Sequence, residues 1–303
     1  MSARSSTNIS LLRPGEAIEG VYACARKERL VARSGAPYLA LELRDRSGTI
    51  GARVFRHADV LAGRFDRGDV IRVRGRTERF RDELQIDVTA ITRVPDDETD
   101  PAAFLPVAYR DLDELDGFLE HLAREVYDPG LRALLQRLIS EERVRADLRR
   151  APCSRAGHHA YLGGLLEHTV AVATLALECS QLHVRLDRDL LLTAALVHDL
   201  GKTREFSYGA EIGLSDEGRL LGHVQLGLRM LDELAPASLP VERRLALDHC
   251  VLGHHGPDSL PGRRFGSPEA LALYRLNALD AAVKGALEHG LADHFSAAGH
   301  AIR

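Results

Sequence analysis

At 303 residues, 45% of them hydrophobic, and with a net charge of −4, the chain has room for two domains that each bury a core. The charge is split, with 18 basic against 12 acidic side chains in residues 1 to 95 and 22 against 32 in the remainder; the front half suits a polyanion, although such a surplus also occurs on ordinary soluble surfaces. The longest apolar run, around Leu190 to Val197, is too short for a bilayer, "MSARSSTNIS" lacks a signal peptide's apolar core, and Cys24, Cys153, Cys179 and Cys250 form no C-x-x-C pair; these features argue against a membrane protein, a disulfide framework and a zinc ribbon, and a cytoplasmic protein with reduced thiols is expected.

From about Ile18 to Val94 the pattern has period two. In "YLALELRD" Leu39, Leu41 and Leu43 alternate with Ala40, Glu42 and Arg44, and "TIGARVF", "DVIRVRGR" and "RFRDELQIDV" follow between turn residues. About five strands in so short a stretch predict a small barrel, best matched by the OB-fold, so residues 1–95 are expected to be a nucleic-acid-binding domain. Alternation places Arg72, Arg74 and Arg76 on one side of one strand, and Arg53 with Phe55 opposite Ile50, Ala52 and Val54. Such arginines would track phosphates while Phe55, Tyr38 or Phe80 stacks on bases; the plainer alternative is a solvated face with aromatics plugging the barrel ends. With few aromatics here and no tryptophan in the chain, retention of a strand is expected to be mainly electrostatic.

"RVPDDETDPAAFLP" ends the strand pattern with three prolines and an acidic cluster. Residues 96–150 are read as linker and helical segment, and apolar spacings of three and four then continue through an all-α domain, residues 151–303. The expected class is therefore α+β multidomain.

The helical half carries polar residues where its helices should be apolar. His168 stands between "GGLLE" and "TVAVATLAL", His198-Asp199 end "LLLTAALV", His223 lies in "LLGHVQLGLRML", His254-His255 end "LALDHCVLGHHG", and Asp280 lies in "LYRLNALDAAV". An unpartnered buried carboxylate or imidazole is costly, so five intrusions are best explained by convergence on a cation. Imidazole with carboxylate suits manganese, iron, cobalt or zinc better than calcium or magnesium. Six or seven ligands exceed what one ion takes, so two are expected, with Asp199 as a bridge; such a pair activates water and neutralises an attacked phosphoryl group. His57, His121, His183, His289, His294 and His300 are expected to be structural. Lys202, one of only three lysines among 40 basic residues, suggests a compact ammonium beside the metals.

This ordered set resembles the HD superfamily of metal-dependent phosphohydrolases, in its two-metal branch. "HHAYLGGLLEHT", "ALVHDLGKTREF", "LSDEGRLLGH", "LGHHG" and "GSPEAL…NALDA", behind a barrel, are similar to the blocks of YhaM-type 3'-5' exoribonucleases over nearly the whole chain. The resemblance implies an OB-fold barrel followed by an HD domain, and hydrolysis of single-stranded RNA, or of DNA, from the 3' end to nucleoside monophosphates with manganese or a similar ion. It further implies that His168, His198, Asp199 and Asp280 hold one metal and Asp199, His223 and His254 the second. His255 is then a further ligand or a phosphate contact, Lys202 clamps the scissile phosphate, and Arg155, His158 and His159 either line the substrate's approach or start a helix. Two alternatives stand beside this reading. One is a phosphohydrolase of small nucleotides or cyclic dinucleotides, since HD-GYP phosphodiesterases share the ligand order although "GYP" is absent here. The other is a non-catalytic binder of single-stranded nucleic acid. Oligomeric state is left open.

Overall fold

The period-two segments form strands because their apolar side chains can all face one core. A computed structural model, described over residues 8–95 and 98–290, places β1 at Ala17–Val31, β2 at Pro37–Asp45, β3 at Gly48–Val54, β4 at Val70–Phe80 and β5 at Glu83–Arg93. Leu39, Leu41 and Leu43 of β2, Ile50, Ala52 and Val54 of β3, and Ile71 and Val73 of β4 are buried together. The strands close in the order β1-β2-β3-β5-β4. β1 serves two neighbours: Ala17–Ala23 pairs with β4 and Ala23–Val31 with β2, with an irregularity between Cys24 and Arg26 that bends the strand. Closure comes from a short parallel pairing of Gly51–Arg53 with Gln85–Asp87. A short helix, α1 (Ala58–Ala62), joins β3 to β4. This is the expected five-stranded OB-fold.

The proline-containing stretch after β5 is less of a free linker than its composition suggests. Asp100 caps a turn at Pro101–Ala103, and Phe104 is buried against Ala23, Val70 and Val94. The first compact unit accordingly runs to Pro106 and takes in Tyr208–Ile212; the second comprises the rest.

The second unit contains α2 (Leu112–Arg124), α3 (Pro129–Ser140), α4 (Glu142–Arg150), α5 (Gly164–Leu182), α6 (Arg188–Val197), α7 (Lys202–Glu205), α8 (Asp216–Leu234), α9 (Val241–Gly253) and α10 (Pro268–His289). α6 is its centre: every residue from Leu190 to Val197 is buried, and α5, α9 and α10 pack around it. A helix apolar on all sides requires such a position. Its start is set by Asp187, whose carboxylate accepts from the Leu190 amide at 3.0 Å. The all-α expectation needs one amendment, a two-stranded hairpin of β6 (Phe206–Tyr208) and β7 (Ile212–Leu214) between α7 and α8.

Candidate metal centre

α6 ends at His198, and the next residue, Asp199, is almost wholly buried. Four histidines from four segments turn one nitrogen each toward it. His168 and His198 bring Nε2 to 3.4 and 3.3 Å from Asp199 Oδ2. His223 and His254 bring Nε2 to 3.5 and 3.3 Å from Oδ1. The opposite nitrogen of each ring is already committed to an acceptor. His198 Nδ1–H donates to the Ala195 carbonyl at 2.9 Å and His254 Nδ1–H to that of Val251 at 2.5 Å, each three residues back on its own helix. His168 Nδ1–H donates to Asp280 at 2.7 Å, and His223 Nδ1–H to Glu205 at 3.1 Å. With Nδ1–H committed, Nε2 is the atom that each ring turns toward the carboxylate. His255 adds a fifth, its Nε2 lying 2.8 Å from that of His223.

Two glycines make this convergence sterically feasible. Gly222, at φ 70 and ψ 162, interrupts α8 so that His223 begins a fresh segment, its amide held by Glu205 at 3.1 Å. Gly201 lets that segment approach: a Cβ there would sit 1.9 Å from the His223 carbonyl oxygen and 2.4 Å from the Gly227 nitrogen. The glycine of "HDLGK" is thus a spacing residue for the histidine after Gly222.

Where such a nitrogen is unprotonated, its lone pair faces a carboxylate oxygen and the two repel unless a cation lies between them. Asp199 Oδ1 and His254 Nε2 are both buried and lack a hydrogen-bond partner among the described residues. Burial alone would raise the Asp199 carboxyl, but the Lys202 ammonium, with Nζ at 2.7 Å, and the neighbouring imidazoles hold it well below its ordinary range. Burial pushes His198 down to about 4, keeping its ring neutral at pH 7. At His168 burial also pulls downward, yet Cys153 and the carboxylates of Asp199 and Asp280 outweigh it and raise the ring to about 10. An ion entering there exchanges for a proton. An ionised carboxylate, converging imidazole nitrogens and orphaned buried atoms make a donor set that fits divalent metal, and the ligand atoms fall into groups, Asp199–His223–His254–His255 and His168–His198–Asp199.

Asp280 stands behind this cluster. It shares a group with His159 and His168, not with His198 and Asp199, because its Oδ2 contacts the His168 nitrogen that faces away from Asp199. Here it orients a histidine, where the resemblance implied a ligand beside His198. The same oxygen accepts from His159 Nε2–H at 3.1 Å; His159 Nδ1 lies 2.9 Å from the Tyr161 hydroxyl, which donates to Glu167 at 2.8 Å, and Lys284 pairs with Glu167 at 2.9 Å. His159 is buried and has φ 52, an uncommon backbone conformation for a residue other than glycine.

Two other expectations need correction. His159 does not line a substrate approach; it is consumed by this buried relay. Lys202 is not exposed to a phosphate: it is buried, paired with Asp199, and also donates to Cys153 Sγ at 3.5 Å. On the barrel β5 lies between β3 and β4, and Arg53 and Arg76 stand in one row on either side of Asp87. Arg72, Arg74 and Arg76 point outward from β4, with Arg74 held by Glu19 at 2.9 Å. Phe55 lies beside Tyr38, whose ring stacks on it at 5.5 Å. Phe80 is exposed at the end of β4, and Arg155 is on the surface. His158 is half-buried beside Cys153. Of the histidines expected to be structural, His57, His121, His183 and His289 enter none of the ligand groups found among the described residues, and His294 and His300 lie outside those residues. Sequence reading missed Glu205, Tyr161 and Glu167. The only available signal was a polar residue near a ligand, too common to single them out.

The fold and the site define a protein with an OB-fold nucleic acid binding domain, matched over residues 23–94, followed by an HD domain, matched over 165–282. An HD domain implies dependence on divalent metal. The resemblance read from the motifs is borne out by relatives named 3'-5' exoribonuclease YhaM. That of Bacillus subtilis (strain 168) is 28% identical over 284 residues, spanning 90% of this chain and 87% of the relative. That of Oceanobacillus iheyensis is 28% identical over 275 residues, spanning 88% and 84%. Among solved structures, the second OB-fold domain of replication protein A from Methanococcus maripaludis aligns with 29% of this chain and 94% of its own, at 20% identity and a TM-score of 0.25.

Proposed function

We propose that the chain is a metal-dependent 3'-5' exonuclease that shortens single-stranded RNA, releasing nucleoside monophosphates. The observation that carries this reading is the set of four Nε2 atoms divided between the two oxygens of one buried aspartate, in a chain alignable with YhaM exoribonucleases over nine-tenths of its length. In this reading His168, His198 and Asp199 would hold one ion, and Asp199, His223 and His254 a second. Divalent ions held there, manganese among them, would supply Lewis acidity to a phosphodiester and to the attacking water.

The protein's own contribution is preorganisation. Backbone carbonyls and carboxylates fix each imidazole's tautomer, Lys202 keeps Asp199 ionised, and α6 provides an apolar post that cannot yield. His255, exposed beside the cluster, is the side chain best placed to meet a phosphate oxygen. On the barrel, Phe55 and Tyr38 offer a ring surface and Arg53 a charge to a single strand.

The test is incubation with manganese and single-stranded RNA labelled at its 5' end, beside RNA labelled at its 3' end and a cyclic dinucleotide. A ladder of shortening 5'-labelled products, with immediate release of the 3' label as mononucleotide, is expected. Hydrolysis of the dinucleotide with intact RNA would overturn the assignment, as would binding of RNA without cleavage.

A further inference from the structure

Beside the cluster lies a set of donors that phosphodiester hydrolysis does not require. The loop between α4 and α5 folds back on itself: the Gly157 amide donates to Ser154 Oγ at 2.9 Å, that hydroxyl donates to the His158 carbonyl at 2.8 Å, and the Cys153 amide donates to the His159 carbonyl at 3.1 Å. The fold-back brings Cys153 Sγ to 3.8 Å from His158 Nε2. A nitrogen of His168, on α5, lies within 4.8 Å of both, so the three form a ligand group of their own. Tetrahedral zinc, with bonds of about 2.3 Å to sulfur and about 2.0 Å to nitrogen, holds those two atoms roughly 3.6 Å apart. The Cys153–His158 separation therefore needs almost no adjustment.

Ligand softness separates this group from its neighbour. The set around Asp199 is imidazole and carboxylate, which manganese accepts; a thiolate is a soft donor that favours zinc. His168 belongs to both groups. An ion seated on Cys153 and His158 with His168 withdraws that histidine from the set it shares with His198 and Asp199. We propose that Cys153, His158 and His168 form a site for a thiophilic divalent cation of the zinc class, whose occupation excludes the metal that His168 otherwise holds. Binding forms an S–Zn bond as the Cys153 thiol releases its proton to water, with no change of oxidation state. Lys202, donating to Cys153 Sγ, is paired with Asp199, whose Oδ2 lies 4.0 Å from that sulfur. Zinc then acts as a brake on hydrolysis; this consequence, unlike the binding, rests on the exonuclease reading.

Cobalt(II) added to the full chain is the direct probe, because zinc is spectroscopically silent. A sulfur-to-cobalt charge-transfer band in the near ultraviolet is expected. It should vanish in Cys153→Ala and in Cys153→Ser, which keeps the size and removes the soft donor, and weaken in His158→Gln. A wild-type spectrum without the band overturns the site, and so does a band that survives in both Cys153 variants, since it would then belong to Cys24, Cys179 or Cys250. In manganese-supported shortening of RNA, the zinc concentration for half-inhibition, relative to each variant's own uninhibited rate, should rise about ten-fold or more in Cys153→Ala. An unchanged value would refute the exclusion of metal through His168. Absence of RNA shortening in the wild type would sink the exonuclease reading and leave the cobalt result standing.

Discussion

On the barrel, the side chains expected to meet a single strand stand at the surface with few partners. Phe55 is 52% exposed, Arg74 is answered by Glu19 on the adjacent strand, and Arg53 bonds only locally to the Ala52 carbonyl. In the helical domain the opposite holds: His168 is set by Asp280, Asp280 is shared with His159, and the chain continues through Tyr161 to Glu167 and Lys284. An exposed surface reads its ligand by summing modest, independent contacts, whereas a buried charged cluster works as a unit because no member can lose its partner cheaply.

The largest effect that this contrast predicts comes from Asp199→Ala. Both halves of the cluster lose their common oxygen donor, so RNA hydrolysis should fall by at least about 10³-fold. Gel-shift binding of the same RNA should persist, because the barrel is untouched; hydrolysis at the wild-type rate would show that the cluster is not the catalyst. Next comes Gly201→Ala, a change far smaller in chemistry. The added methyl collides with the His223 backbone, and manganese affinity measured by titration calorimetry should drop about 10- to 100-fold while α6 and the barrel stay intact by circular dichroism. Affinity equal to wild type would mean that His223 does not need its present approach.

Tyr161→Phe tests how far the unit extends from Asp199. It removes one hydroxyl that touches no proposed ligand, and a loss of roughly ten-fold in metal affinity is expected from the loosened Asp280–His168 contact. The relay also carries a pH signature. Burial works against the Glu167 carboxylate, but bonds from His159, Lys284 and Tyr161 outweigh it and bring it from 4.5 down to about 2. A depressed carboxyl stabilises the fold fully above its unfolded value and loses that contribution as pH falls toward the folded one. Thermal unfolding between pH 5 and pH 2.5 should therefore steepen in the wild type and flatten in Glu167→Gln. The smallest effect belongs to the barrel: Phe55→Ala should weaken binding of single-stranded RNA by about 1–3 kcal/mol, with turnover at saturating RNA unchanged. A fall in turnover instead would mean that the barrel and the centre are not independent.

The two regions were also legible to different degrees. Alternation alone identified the strands and the outward placement of Arg53, Phe55 and Arg72, since side-chain direction in a strand follows from period two. It could not say that β5 lies between β3 and β4, which sets Arg53 and Arg76 on either side of Asp87. In the helical half, charged residues interrupting apolar helices revealed His168, His198, Asp199, His223, His254 and Asp280 as a set, because burial of such groups demands a common reason.

Which nitrogen faces which oxygen was beyond the sequence. Asp280 orients His168 and contacts its far nitrogen, Lys202 holds Asp199 rather than a surface phosphate, and His159 is walled into a relay. Those assignments depend on ring orientation and on backbone approaches such as Gly201 against His223. The amino-acid order determined that a barrel precedes a helical domain and that polar side chains are forced into its core, since hydrophobic periodicity is a property of neighbours along the chain. Only the tertiary structure decided which of those side chains bond to one another, since a hydrogen bond is settled by tenths of an ångström between residues more than a hundred positions apart.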